Sequence, residues 1–164
     1  MSKPLIEMRS SAIHGNGVFA IADIAEGQEI IEYGGKRLTH ARADHKYGGS
    51  SITGHTFLFT LNDDYVIDGN QDGNDARWIN HSCDPNCRAW KIDAEDGNPK
   101  HDRVVIEARC AIAKGDELTY DYGIVLDEPY TNELKAAWAC RCGAKHCSGT
   151  MLKPKSRKPA KKTR

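Results

Sequence analysis

The chain has 164 residues, 39% of them apolar, enough to bury one core and too few for two ordinary domains. With 28% charged residues and a mean hydropathy of −0.62 the composition is globular, and no run approaches the roughly 20 apolar residues of a membrane span. The formal charge is zero, yet seven of the 23 Lys and Arg stand in residues 153–164, so the first 152 residues set 16 cations against 23 acids. An acidic body favours cationic partners, and the Pro-broken basic tail reads as disordered.

From the start of the chain, MSKPLIEMRSS offers no apolar h-region, so neither a secretory signal nor export is expected. Short β-branched or aromatic segments, punctuated by Gly, Asn and Asp, predict strands over Val18–Ile21 and Glu29–Tyr33. A short helix is predicted over Thr39–His45, then strands over Thr56–Leu61 and Tyr65–Asp68 and a helix over Asn74–Ile79. Strands follow over Arg88–Ile92, Val104–Ala108 and Glu117–Tyr120, with a last helix over Asn132–Trp138. The sum is a mostly-β (α+β) domain with small helices at its edge. Residues 1–130 form the expected body, 131–152 a cysteine-bearing cap and 153–164 the tail. Ala94–Asp102 reads as a plain hairpin connection. Ile24–Ile30 and Ile112–Leu118 share the form I-A-x-G-x-E-[IL], which predicts two similar turn-to-strand corners with Gly supplying positive φ.

Six cysteines stand at 83, 87, 110, 140, 142 and 147. Cys140, Cys142 and Cys147 cluster as thiolate metal ligands do, which places the chain in an intracellular, reducing compartment. Tetrahedral zinc needs a fourth ligand, and spacing leaves Cys83, Cys87, Cys110, His101 and His146 open. Such a zinc, with every position filled by protein, would be structural and would supply folding free energy to a Gly-rich segment. Arg77–Cys87 (RWINHSCDPNC) crowds polar side chains as a ligand pocket does, since each must be bonded if buried. In His14–Phe19 (HGNGVF) two glycines let backbone approach a ligand, but the third Gly and the βαβ context of a dinucleotide site are missing. In Glu117–Gly123 (ELTYDYG), Tyr120 and Tyr122 sit two residues apart on a strand, which puts both rings on one face.

Taken in order, HGNGVFA, EYGG, FLFTL, YVIDG, GNDARWINHSCDPNC, IAKGDELTYDYG and CRCGAKHCSGTML resemble the SET-domain protein-lysine N-methyltransferases across residues 12–152. The resemblance implies the SET fold: several small β-sheets, a knot-like C-terminal segment, and a zinc-bound post-SET cap. It implies S-adenosylmethionine (SAM) as cofactor and methyl transfer to a lysine ε-amine. On this pattern His14, Gly15, Asn16 and Gly17 would contact the cofactor, as would Phe57, Asn80, His81 and Tyr122. Arg141 and Leu152 would close the cap over it. Tyr122 matches the catalytic tyrosine and Tyr120 the product-specificity position, where a hydroxyl goes with mono- or dimethylation. Cys83, Cys140, Cys142 and Cys147 match the post-SET zinc ligands.

Phe57 stands where many members carry Tyr, and Trp78 replaces the usual Phe before Ile-Asn-His. With no pre-SET cysteine cluster and no reader domain, the chain resembles minimal stand-alone members, bacterial or viral, more than chromatin enzymes. The expected substrate is a lysine in a basic protein, histone-like or other. The alternative reading is a zinc-braced module that binds basic peptides without catalysis. The tail adds two expectations: weak nucleic-acid contact through its cations, with steep salt dependence, and service as a methyl acceptor through KPAKK. No membrane partner is expected.

Overall fold

A computed structural model describes residues 3–48 and 57–155. Strands β1 (Ile6–Ser10) and β2 (Asn16–Ala20) form an antiparallel hairpin with Ile6 opposite Ala20. Strand β3 (Glu29–Glu32) joins β8 (Cys87–Ile92) and β9 (Arg103–Ala108) in a sheet of order β3-β9-β8. Strands β4 (Lys36–Thr39), β5 (Leu58–Thr60) and β6 (Tyr65–Asp68) form another, of order β4-β6-β5. The two-residue strands β7 (Asn80–His81) and β10 (Thr119–Tyr120) pair in parallel, so the 117–122 segment crosses against the middle of the chain. Between the sheets lie Val18, Ile24, Ile67, Ile79, Ile106, Ile112 and Leu118, each almost wholly buried. This is the mostly-β arrangement of small sheets that the sequence predicts.

Every predicted strand is present: that over 65–68 matches in full, those over 18–21, 88–92 and 104–108 begin one or two residues earlier than predicted, and the others are shorter; Thr56, the first residue of the 56–61 expectation, lies outside the described residues. Three strands were not predicted. In β4 (KRLT) only Leu38 is buried and β7 is two residues long, so neither shows a period of two; β1 (IEMRS) does alternate, Ile6 and Met8 with Glu7 and Arg9, but the run is short and the sequence reading passed over it. The helix expected over 74–79 is a 3-10 turn, Asp75–Trp78. Asn74 caps it by accepting from the Ala76 N–H at 3.2 Å, and Ile79 is already extended to feed β7. The 94–102 stretch is the expected hairpin connection, with a 3-10 turn over Pro99–His101, pinned by Asp102, which accepts from Ala94 N–H (2.8 Å) and Asn62 Nδ2 (2.9 Å).

The two similar corners grip each other. Ile24 and Ile112 exchange both backbone hydrogen bonds, at 2.8 and 2.9 Å. Gly27 N–H donates to Ala108 O while Gly115 N–H donates to Ala20 O, each at 2.8 Å. The returning bonds, Ala108 N–H to Gln28 O and Ala20 N–H to Asp116 O, are 2.9 Å each. Both glycines hold the positive φ that this turn demands, +80° and +97°.

Helix α1 (His40–Tyr47) begins at Thr39, whose hydroxyl accepts from Arg42 N–H, and is anchored at its far end by Asp68. The Asp68 side chain is fully buried and accepts from Tyr47 Oη (2.7 Å), Gln71 Nε2 (3.1 Å) and Asn70 N–H (3.0 Å), with Lys46 Nζ 3.3 Å away. A second, smaller core lies under the cysteine-bearing end. Leu134, from helix α2 (Asn132–Ala137), packs with Trp138 and Leu152 against Ile124, Leu126 and Tyr130. The segment after Trp138 returns to the body where Leu152 bridges Ile124 and Lys153 N–H donates to Ile124 O at 2.8 Å.

Candidate functional site

Asn80 is the hub of the site. Strand β7 buries it, and its Nδ2 lies 3.2 Å from His14 O, 3.0 Å from Asn16 O, 3.1 Å from Ser11 Oγ and 2.9 Å from Glu117 Oε1. The Glu117 carboxylate also accepts from Ser11 Oγ at 2.7 and 3.0 Å. One side chain thus fixes the backbone carbonyls of the HGNG turn, and a carboxylate from 106 residues away locks the arrangement. Gly17 is required by that carboxylate: a Cβ there would sit 2.2 Å from Glu117 Oε1 and 2.9 Å from Ser11 Cβ.

Beside this hub opens a cleft of about 420 Å³, within the range of small-molecule sites. It is lined by His14, Gly15 and Asn16 of the HGNG turn, by Phe57, Trp78, Asn80 and His81, and by Ala136–Arg141 with Met151. Phe57 meets Trp78 edge-on with ring centroids 5.0 Å apart, and the Arg77 guanidinium lies 4.8 Å from the Trp78 ring. Backbone carbonyls, aromatic faces and one amide suit a ligand carrying both polar and flat apolar parts, so these residues fit the expected cofactor.

A second cleft, about 640 Å³, lies between α1 and the Gly123–Leu126 segment, and it shares Arg77, Tyr122 and Trp138 with the first. Its inner wall is a run of rings: Tyr33 and Phe59 at 5.0 Å, Phe59 and Tyr120 at 6.1 Å, Tyr120 and Tyr122 at 4.9 Å. The two tyrosines do share a face. Tyr122 stands at the junction, its hydroxyl donating to Ile79 O at 2.6 Å. Burial, with the nearby Tyr33 and Glu117, pushes the Tyr122 phenol far above its ordinary range, and burial does the same to Tyr120. Both rings stay neutral dipoles.

His81 faces two ways. Tyr122 N–H donates to its Nδ1 at 3.0 Å, which places the ring proton on Nε2, and Nε2 lies 3.7 Å from Cys83 Sγ. Burial depresses its basicity against the pull of Asp121, so the ring is neutral.

Cys83, Cys140, Cys142 and Cys147 bring their sulfurs within 4.8 Å of one another, with Cys83 to Cys140 at 3.8 Å and Cys83 to Cys147 at 4.0 Å. A tetrahedron of thiolates about 2.3 Å from zinc has edges of about 3.8 Å, so the four fit that ion. Burial pushes the Cys140 thiol up, whereas at Cys142 it is outweighed by N–H donation from Cys83 and Ala144, bringing that thiol down to about 6. Of the other ligands that spacing left open, Cys87 is buried in the main core, Cys110 is exposed, and His101 pairs with Asp96 at 2.6 Å.

Most of the expected site residues therefore converge. His14, Gly15, Asn16, Phe57, Asn80, His81, Tyr122 and Arg141 line the first cleft, and Tyr120 lines the second. Gly17 lies behind the wall, against Glu117, and Leu152 lies in the small core of the cap. The sequence reading missed Ser11, Tyr33, Arg77, Glu117 and Trp138. Glu117 sat inside a quoted motif, but its partner Ser11 is remote, and nothing local marked the pair.

Two clefts thus share a half-buried tyrosine, and four cysteine sulfurs gather beside the first of them. Residues 15–123 match the SET domain family, two thirds of the chain, and the chain belongs to that family. It is 37% identical over 150 residues to Histone-lysine N-methyltransferase set-2 of Caenorhabditis elegans and 39% over 149 residues to human Histone-lysine N-methyltransferase 2B. It is 40% identical over 150 residues to the Histone-lysine N-methyltransferase, H3 lysine-4 specific, of Saccharomyces cerevisiae. These matches take in 90%, 89% and 90% of this chain but only 9%, 5% and 13% of the relatives, so the chain spans a small part of each.

Proposed function

We propose that the chain is an S-adenosylmethionine-dependent protein-lysine N-methyltransferase acting on a lysine of a basic protein, histones included. The observation that carries this reading is the position of Tyr122, which lines both the polar-walled cleft and the ring-lined cleft and whose hydroxyl is fixed by Ile79 O. The 35–40% identity to enzymes named for histone lysine methylation supports it. When bound, S-adenosylmethionine would supply a sulfonium methyl, held by His14–Gly17, Phe57, Asn80 and His81, with Arg141 and Leu152 belonging to the cap that closes over it.

The chain's own task is to deliver a neutral amine. Free lysine has a pKa of about 10.4, and the aromatic Tyr33–Phe59–Tyr120–Tyr122 wall disfavours the ammonium and steers the nitrogen toward the junction. Tyr122, fixed by Ile79 O, presents an oriented dipole to the charge that shifts during transfer. The proton lost by the amine leaves to solvent. Tyr120 limits space beside the amine, which favours mono- and dimethyl products. Zinc on the four cysteines would brace the cap, and a reducing intracellular compartment keeps those thiols available. Among the described residues no helix is long and apolar enough to cross a membrane. The nucleic-acid expectation falls on the tail, whose residues 156–164 lie outside the described residues.

The test is transfer of labelled methyl from S-adenosylmethionine to core histones. Wild type labels a lysine, and Tyr122→Phe loses about 10²-fold or more in kcat with little change in KM. Product masses from Tyr120→Phe shift toward trimethyl-lysine. Binding of lysine peptides without any transfer overturns the proposal in favour of a non-catalytic module.

A further inference from the structure

We propose that Arg77 selects the charge state of the substrate: its unpaired guanidinium, shared by both clefts, admits the target lysine as a neutral amine and turns the ammonium away. The inference rests on the methyltransferase reading above and deepens it. The KPAKK expectation falls outside the described residues, so the lysine in question is one on another protein.

The surroundings of Arg77 carry it. The residue stands in the Asp75–Trp78 turn, is half-buried, and lines the first cleft and the second alike. Charged side chains that leave water are ordinarily paired, and buried polar atoms are ordinarily bonded. Arg77 departs from both habits. Its Nη1 donates to Gly69 O at 3.0 Å, but among the described residues its buried Nε donates to nothing and no carboxylate pairs with it. What holds it instead is aromatic: Cζ lies 4.8 Å from the centre of the Trp78 ring and 5.8 Å from that of Phe57. Ring faces fix the cation in place without cancelling its charge. Asp68, at the end of β6, is fully buried, yet its carboxylate is taken by Lys46, Tyr47, Asn70 and Gln71.

The ring-lined cleft needs such a charge. Desolvation there disfavours an ammonium while ring faces attract one, so Tyr33, Phe59, Tyr120 and Tyr122 pull in both directions. The other titratable groups lining this cleft are His40, Asp44 and Tyr47, all on α1. His40 Nε2 is engaged with Asn62 O at 2.9 Å, and Asp44, the one acid, is exposed and screened by solvent. Beside the tyrosines, Glu117 is locked to Ser11 and Asn80, and Asp121 is paired with Lys153 at 2.7 Å. The balance therefore falls to Arg77. Its field already reaches the cleft wall: burial pushes the Tyr33 phenol up, Arg77 pulls it down, and Asp68 adds to the rise. A charge that favours phenolate at that wall opposes an ammonium there by the same field. Two unit cations about 10 Å apart, at an effective dielectric constant of about 20, weaken each other's binding more than tenfold.

The proton has a stated course. The ammonium gives one proton to solvent on entry, and the amine keeps the lone pair that attacks the methyl carbon. Free lysine has a pKa of about 10.4 and the bound lysine a lower one. Between those two values each unit rise in pH tightens binding about tenfold, and one proton is released per peptide bound.

The full 164-residue chain, with S-adenosylhomocysteine present so that the donor-side sulfur is neutral, is titrated with a peptide carrying the histone lysine that wild type methylates. A second titration uses the same peptide with norleucine in place of that lysine. Calorimetry at pH 7.5, in buffers of different ionisation heat, counts the protons released. Wild type is expected to release about one proton with the lysine peptide and none with norleucine. Arg77→Gln removes the charge and still offers an amide to Gly69 O; it is expected to release a fraction of a proton and to gain about tenfold in affinity for lysine relative to norleucine. Arg77→Lys keeps the charge and is expected to match wild type. Equal proton release by wild type and a folded Arg77→Gln overturns the inference and leaves Arg77 a packing role. So does a wild type that binds the lysine peptide and releases no proton, a result that depends on no variant's folding. In either case methylation of histones leaves the methyltransferase reading standing. Histones that take up no methyl overturn that reading, and this inference with it.

Discussion

At the scale of single residues the site depends on contacts that admit almost no change in shape. Gly17 has no room for a Cβ because the Glu117 carboxylate, held by Ser11 and Asn80, occupies that space. In Gly17→Ala the carboxylate must move, and it takes with it the bonds that orient the His14 and Asn16 carbonyls. Crowding of this kind costs about 1–3 kcal/mol. The expected signature is a loss in affinity for S-adenosylmethionine of tenfold or more, read by calorimetry, exceeding any loss in affinity for a lysine peptide. A uniform fall in both would show that the damage is to the fold at large. This level was only half legible in the sequence. HGNG, NHSC and the Tyr120/Tyr122 pair announce themselves as segments, but which residue touches which across 106 positions is fixed by packing, and neither Ser11 nor Glu117 carries a local mark of its role.

At the scale of elements the ring-lined cleft owes one wall to α1, and α1 owes its position to a single buried carboxylate. Asp68 is buried and costly to ionise, but the Tyr47 hydroxyl, the Asn70 N–H and amide and the Lys46 ammonium outweigh this and hold its carboxyl below the ordinary range. A group whose pKa is depressed by folding adds stability above its unfolded value, near 3.9, and that stability disappears as pH falls through the lower folded value. Asp68→Asn should therefore cost about 1.5–3 kcal/mol at neutral pH, the worth of hydrogen bonds to a charged group, and flatten the acid limb of a stability-versus-pH curve. Denaturant midpoints from pH 7 down to pH 3 check both, and a variant whose loss is the same at every pH contradicts the assignment. Elements were read from sequence where β-branched and aromatic residues cluster between turn residues, as in Tyr65–Asp68. They were missed where tertiary pairing alone holds them, as in the two residues of β7, and the 74–79 helix shrank to one turn because Ile79 is already extended and leads into β7 at Asn80.

At the scale of the whole molecule two cores meet across the first cleft, and the four thiols join them. Cys83 belongs to the body, Cys140, Cys142 and Cys147 to the cap, and the cap's own core is little more than Leu134, Trp138 and Leu152. That core is small for independent folding, and a metal held by the four thiols would supply the missing free energy. Purified protein should carry about one zinc per chain by mass spectrometry of the intact complex. Chelation should raise hydrogen exchange first over residues 134–152 while β8 and β9 stay protected. Loss of protection at the same rate in both regions would place the metal's influence in the body instead. The cysteine cluster was plain from spacing, but its fourth member was not, since distance along the chain cannot tell Cys83 from Cys87.

The crossing of residues 117–122 against 80–81 also sets an order of events during synthesis. A nascent chain that has emerged as far as position 110 already holds the HGNG turn and the NHSC stretch, yet it has neither the carboxylate that locks them nor the phenol at the junction. A chain that ends before residue 117 therefore lacks both groups, whereas one that ends between 123 and 131 keeps them and loses the cysteine-bearing wall of the first cleft.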